Sequence, residues 1–186
     1  MLPTIRLAGK RITHLGKLTM HDSADIFRNA MRLFVGGVTL LTTAEGSARR
    51  GLTATAVCSL STRPPRLLAC VNMSGATYRM MDSSRVLTVN LLGAGHENVA
   101  SSFGGAAPDR DPFEGNHWIE GVNGAPRLAD ATAAFECTIE QMINAGTHAI
   151  VIAEVNNVIV AGNARPLIYV NGRFAHVDAS DHVALC

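Results

Sequence analysis

Short polar residues recur where apolar runs stop and start: Ser59, Ser61 and Thr62; Asn72, Ser74 and Thr77; Ser101 and Ser102. Hydroxyls and carboxamides beside the free main-chain amides of turns and helix starts make anion sites, for phosphate above all. Each cluster alone is also an ordinary cap or turn. Three in one short chain point to a flat, phosphorylated ligand. Gly146-Thr147-His148 is a second candidate. Glycine supplies a turn, and the histidine opens a strand, facing either solvent or a bound ring. His148 and Cys58 can be imagined as base and nucleophile, but nothing local supports that pair. The histidines are scattered singly, and cysteines 58, 70, 137 and 186 lack metal-ligand spacing, so no metal site is expected. Neither GxGxxG, a Walker loop, HExxH nor GxSxG occurs.

The stretch that must position these residues is Gly51–Thr62, GLTATAVCSLST. Read as one strand, it puts Leu52, Ala54, Ala56, Cys58 and Leu60 on one face and Thr53, Thr55, Val57, Ser59 and Ser61 on the other. One face is small and apolar, and the opposite face carries hydroxyls. Periodicity alone does not choose between a solvated hydroxyl face and a ligand cradle.

Around it the sequence predicts a helix from Asp22 to Phe34, with Ile26, Phe27, Ala30, Met31 and Phe34 in one stripe, ended by Gly36-Gly37. Val38–Thr43 reads as a strand joined to the Gly51 strand by a longer loop, AEGSARR. Further strands are expected at Arg66–Val71, Val86–Leu92 (with Asn90 its odd polar member), from Phe135 to Ile143, from His148 to about Val160, at Leu167–Val170 and at Arg173–Val177. In the Phe135 strand, Glu136, Thr138 and Glu140 alternate with the apolar side chains. Asn171-Gly172 is a strong hairpin-turn pair. Short helices are expected at Ser74–Asp82, capped by Ser74, and at His96–Phe103. Residues 104–126 read as a long loop, which in a compact domain is more often functional than accidental. Many strands with two or three short helices predict a mainly β, antiparallel barrel.

The chain has 186 residues, 47% hydrophobic and 17% charged. One domain with a sizeable core fits that length. So few charges over so much apolar surface predict a homodimer. Arg6, Lys10, Arg11 and Lys17 give residues 1–20 a basic character without an apolar core, so a flexible leader is expected rather than a secretory signal. The remainder carries no basic cluster, which argues against nucleic acid. No run is long enough to cross a membrane. Unpaired cysteines in apolar segments fit buried, reduced thiols in a cytoplasmic protein.

FRNAMRLFVGGVTLLTT, GLTATAVCSLSTRPPRLLACVN, LTVNLL, ENVASSFGG, the GTH at 146–148 and LIYVNGRFAHV follow one another in this order. Together they resemble the flavin reductase family over about residues 25–177. These are the NAD(P)H:flavin oxidoreductases that serve two-component monooxygenases, and the hydroxyphenylacetate branch looks nearest. The resemblance implies an FMN-binding split β-barrel with Greek-key connections, spanning residues 21–178 and followed by a tail at 179–186. It implies a homodimer with flavin near the subunit interface. By its implication Thr53, Thr55, Ala56, Val57 and Cys58 lie along the isoalloxazine and ribityl chain, and Ser59 lies near the phosphate. Asn72, Ser74 and Thr77 form the next contact, and Ser101, Ser102 and Phe103 complete the phosphate end. His148 would touch the flavin or the nicotinamide. The family commonly has aspartate where Thr147 stands here. Tyr169, Arg173 and Phe174 match its C-terminal aromatic and basic positions. The implied cofactors are FMN or FAD, with NADH or NADPH as hydride donor, and the implied partner is a separate flavin-dependent oxygenase. The alternative expectation is a flavin-binding or electron-transfer protein of the same fold without pyridine-nucleotide activity.

Overall fold

The structure is a computed structural model that describes residues 6–7, 10–11, 20–105, 111–161 and 165–176. The chain divides into two units, residues 1–34 and 35–186. In the first, β1 (Arg6–Leu7) pairs antiparallel with β2 (Lys10–Arg11), and α1 spans Met20–Met31. The expected helix ran on to Phe34. Instead the Leu33 amide donates to the Ala30 carbonyl and Phe34 to Met31, the tightened i→i−3 bonds of a helix that is ending. The rest of the expected leader and the tail at 179–186 lie outside the described residues.

The second unit opens with β3 (Gly36–Gly37), β4 (Thr39–Glu45), β5 (Ala48–Ala54), β6 (Val57–Thr62) and β7 (Pro65–Asn72). Then come α2 (Ala76–Ser84), β8 (Val86–Leu91) and α3 (Glu97–Phe103). The short β9 (Trp118–Glu120) and β10 (Pro126–Leu128) precede the long β11 (Ala133–Ala145) and β12 (His148–Val160). The hairpin β13 (Leu167–Val170) and β14 (Arg173–His176) completes the described residues.

Seven strands form one antiparallel sheet in the order β5-β4-β8-β11-β12-β7-β6. Its two edge strands, β5 and β6, are consecutive in sequence and joined only by Thr55-Ala56. A two-residue link between opposite edges requires the sheet to curl until those edges meet at a corner. The sheet is not closed by a continuous ladder, which makes the mainly β architecture a split barrel. A second sheet, β14-β13-β3, and the hairpin β9–β10 accompany it.

The corner changes the reading of Gly51–Thr62. It is two strands, not one, and the break shifts the parity of the faces. Val57, expected among the hydroxyls, packs with Leu52 and Ala54 against the core, whereas Cys58 and Leu60 are exposed. The expected longer loop before it is a two-residue turn at Gly46-Ser47, so most of AEGSARR is strand; Gly46 has φ +58°, where glycine is favoured.

Two apolar clusters share β4. Leu41 points into the cluster of Leu67, Val71, Met81, Leu87, Val89 and Val151, and Leu40 into that of Leu92, Val99, Phe103, Phe113 and Leu167. Alternation along β4 therefore buries both of its faces. Each fully buried leucine contributes roughly 1.5–3 kcal/mol.

The region expected to be a loop, 104–126, holds β9, half of a hairpin that β10 completes, and an aromatic nest. Phe113 and Trp118 meet edge to face with centroids 4.9 Å apart, and Phe103 lies 4.9 Å from Phe113. Asn90 explains its odd position in β8. Its Nδ2 donates to the Leu40 carbonyl (3.1 Å), and its Oδ1 accepts from the Leu128 amide (2.8 Å), fastening β10 to the sheet. Glu136, which alternates with apolar side chains in the sequence, is buried. It receives the Asn157 side chain at 2.9 Å and the Val122 amide at 3.3 Å, with Arg127 3.5 Å away. Two bulges in the β11–β12 register interrupt simple alternation there.

Candidate functional site

The corner forms the floor of an open cleft of about 460 Å³, lined there by Thr53, Ala54 and Thr55. Ala100, Ser101 and Gly104, at the end of α3, make one wall. Tyr169, Gly172, Arg173 and Phe174, on the β13–β14 hairpin, make the other.

Each part is held by bonds the sequence does not advertise. The Thr53 hydroxyl donates to the Ala100 carbonyl at 2.6 Å, tying β5 to α3. Thr39 donates to the Ala54 carbonyl at 2.7 Å, tying the corner to β4. Gly36 pairs with Tyr169 across β3 and β13, and a Cβ on Gly36 would stand 2.9 Å from that of Thr55. Gly36-Gly37, read in sequence as a helix stop, is thus a strand whose missing side chain lets the hairpin wall approach the corner. The turn before Arg173 has positive φ at Asn171 (+51°) and Gly172 (+77°), as a two-residue hairpin loop demands.

The side chains present a consistent chemistry. Tyr169 and Phe174 meet edge to face, centroids 5.5 Å apart, as a rigid apolar surface. Among the described residues Arg173 is the one charged side chain lining the cleft; it is exposed and has no ion pair with a described residue. Among the described residues no carboxylate lines the cleft. Hydroxyls, an aromatic surface and a lone guanidinium suit a flat molecule carrying a phosphate.

Of the expected site residues, Thr53, Thr55, Ser101, Tyr169, Arg173 and Phe174 meet at this cleft. Ala56 is exposed at the corner, where its carbonyl accepts from the Cys70 amide at 3.0 Å. Val57, Cys58 and Ser59 line a neighbouring, mostly apolar cavity of about 350 Å³ with Leu67, Phe135 and Val155. Ser102 bonds back to the Asn98 carbonyl at 2.9 Å, as Ser101 does to Glu97 at 2.8 Å. Phe103 is buried, packed against Phe113 and the backbone of Gly51, where a Cβ would come within 2.8 Å of the ring.

A second group gathers at the ends of β7 and β12. Asn72 and His148 are directly paired. The Asn72 Oδ1 accepts from the Ser74 amide (2.9 Å) and hydroxyl (2.8 Å). Ser74 thus forms a turn with Asn72, and Gly75 is the N-cap of α2 in its place. Thr77 is buried, and its hydroxyl donates to the Gly51 carbonyl at 3.0 Å, linking this group to β5. The Thr147 hydroxyl lies 2.9 Å from His148 Nδ1. Val38, Ala54, Ala100, Gly104 and Gly172 were missed as site residues, because they shape the cleft without functional groups of their own.

The perturbed ionisable groups lie away from the cleft. Arg66 and Glu140 form a two-pronged pair at 2.6 and 2.8 Å, which holds the Glu140 carboxyl below its ordinary range. The Phe113 amide, and then Arg49, lower Asp111. Burial, reinforced by Glu136, pushes the Cys137 thiol up to about 12. Cys137 fits the expected buried thiol; Cys70 is half-buried and Cys58 is exposed, because the corner turns Cys58 outward. Among the described residues no three His, Cys, Asp or Glu side chains gather as a metal site. None of the described helices is long and apolar enough to cross a membrane.

A split antiparallel barrel with an anion-ready cleft at its corner defines a class of small flavin-handling proteins. Residues 31–178 match the family model described as flavin reductase like domain, and the chain belongs to that family. An FMN reductase (NADH) RutF from Variovorax paradoxus is 36% identical over 182 residues, covering 98% of this chain and all of the relative. An NADH:FAD oxidoreductase from Streptomyces globisporus, solved with NAD and FAD fragments, superposes with a TM-score of 0.81 at 28% identity, covering 89% of this chain and 99% of that one. The flavin reductase component of a bacterial two-component tryptophan halogenase gives a TM-score of 0.77 at 27% identity, covering 83% and 98%.

Proposed function

We propose that this protein is an NADH-dependent flavin reductase that reduces FMN or FAD and releases the product to a separate oxygenase component. The observation that carries the reading is the corner cleft, where Arg173 is the lone charge among the described residues, between a hydroxyl-bearing floor and the Tyr169–Phe174 surface. The names of the relatives, FMN reductase (NADH) and NADH:FAD oxidoreductase, favour NADH as the donor.

When bound, the flavin supplies the redox chemistry, accepting hydride at its N5 from C4 of the nicotinamide. The chain's task is placement. Thr53 and Thr55 support the floor, Ala56 leaves room above the corner, and Arg173 receives the anionic end beside Ser101, which shapes the α3 wall there. Val57, Cys58 and Ser59 flank the corner on its other side, while Asn72, Ser74 and Thr77 brace it from β7 and α2. Ser102 and Phe103 hold the α3 wall. His148, exposed at the strand end, takes the nicotinamide side. Hydride transfer between two stacked rings would need no protein base, and among the described residues no carboxylate lines the cleft. Flavin is read as a substrate, consistent with an open site.

Consumption of NADH followed at 340 nm, with FMN, FAD or no flavin, tests this directly. Turnover only with added flavin is expected; none with either flavin sinks the proposal. Residues 21–178 are taken as the reductase domain and the cytoplasm as its location. Leu60, Val158 and Val160 stay 47%, 49% and 70% exposed in the single chain, which supports a homodimer. Light scattering at micromolar concentration should return twice the 19.7 kDa chain mass.

A further inference from the structure

The two walls of the cleft come from distant parts of the chain, and they are joined at one turn, residues 93–96. On the hairpin side, Gly93 bridges Pro166, the Ala94 amide donates to the Arg165 carbonyl (2.9 Å), and the Leu167 amide donates to the Leu92 carbonyl (2.8 Å). These bonds set where β13 begins. On the helix side, the His96 carbonyl accepts from the Ala100 amide (2.9 Å), the first turn of α3, and Ala100 in turn receives Thr53.

His96 closes the turn, its amide donating to the Gly93 carbonyl at 2.9 Å and its ring adding a second bond. Its Nδ1 accepts from the Gly93 amide at 2.9 Å, and its Nε2 lies 3.1 Å from the Asp130 carboxylate. The amide can only donate, so the ring proton sits on Nε2, toward Asp130. The side chain is 13% exposed. The turn is closely packed, since a Cβ on Gly93 would stand 3.0 Å from the Thr132 hydroxyl.

We propose that His96 is a positioning residue for the reductase reaction. Its Nδ1 bond to Gly93 holds the α3 wall and the β13–β14 wall at the separation that admits the flavin. The inference rests on the flavin reading of the cleft. His96 touches neither the ligand nor the reacting atoms and acts only through Gly93, Ala94 and Ala100.

The test compares His96→Ala with His96→Asn in the full chain. Asparagine places its Oδ1 where Nδ1 stands and can still accept from Gly93, but it lacks the ring. FMN affinity is read by fluorescence quenching, melting temperature in parallel, and amide exchange at Ala94 and Leu167. Losing this bond in His96→Ala should weaken FMN binding about tenfold and expose both amides. His96→Asn should stay within about threefold of the native protein, the residue of one hydrogen bond kept. Equal affinity in native and His96→Ala protein overturns the proposal. So does His96→Asn as weak as His96→Ala, or affinity that follows melting temperature alone. If His96→Ala does not fold, His96→Gln, whose longer amide misses Gly93, takes its place; loss of fold in every variant overturns the proposal in favour of a purely structural histidine. Failure of the native protein to quench FMN is a different result. It removes the flavin reading, while amide exchange still reports whether His96 holds the two walls.

Discussion

At the scale of single residues, hydroxyls are spent before any ligand arrives. Thr53 and Thr77 both donate to backbone carbonyls, and Ser101 and Ser102 bond back along their own helix. The corner's open backbone and Ala56 are therefore the more exacting partners for a flat ring. Ala56→Leu should weaken flavin affinity more than Thr53→Val does, with Thr53→Val costing about 1 kcal/mol of stability for its lost bond to Ala100. Flavin titrations and urea melts of the two variants check this, and the opposite order puts the ring on the other side of the corner. His148 is exposed, with Thr147 steadying its Nδ1. His148→Ala should raise the KM for NADH severalfold while leaving flavin affinity within about twofold, as expected when contacts to one substrate only are removed. Unchanged NADH kinetics would take His148 out of the site.

At the scale of elements, the fold depends on short pieces pinned by buried polar side chains. The hairpin β9–β10 has three residues per strand and cannot stand alone. Asn90 carries it, being fully buried with both ends of its carboxamide engaged. Asn90→Ala would leave the buried Leu128 amide without an acceptor, a loss of about 1–3 kcal/mol. Urea denaturation should register that loss, and Leu128 should gain amide exchange before the long strands do. A variant as stable as the native chain would show that β10 is held by packing alone. Periodicity finds long strands: β11 and β12 were legible from it, and the β13–β14 hairpin from its Asn171-Gly172 turn. It could not find β9 and β10, because three residues carry no period, and β10 is fastened to the sheet by Asn90, 38 residues away in sequence.

Over the whole molecule, the acid side of stability has a clear sign. The Glu140 carboxyl is held low by Arg66, and Asp111 by the Phe113 amide and Arg49. A carboxyl lowered in the folded state adds stability above its unfolded pKa, about 4.3 for glutamate and 3.9 for aspartate. That contribution fades as pH falls from there through the lowered folded values. Both ion pairs are open to solvent, so the effect is modest and weakens with salt. Melting temperature should drop more steeply below about pH 4.5 in the native protein than in Glu140→Gln. Parallel acid limbs would show that this pair contributes nothing measurable.

Sequence and tertiary structure divide the determination of this protein along a physical line. The alternation of the long strands and the Asn171-Gly172 turn determined a mainly β, antiparallel chain, because those signals are local. The ordered motifs from Phe27 to Val177 carried the resemblance to the flavin reductase family, and that resemblance implied six of the residues that meet at the cleft. Only the tertiary structure decided that Gly51–Thr62 is broken at Thr55-Ala56. A corner is a change of partner strand, and no local residue pattern encodes which strand lies opposite. The same holds for Glu136 turned inward, Cys58 turned outward and Gly36-Gly37 serving as a strand. In each case the deciding contact comes from a segment distant in sequence, and burial follows the partner rather than the residue type.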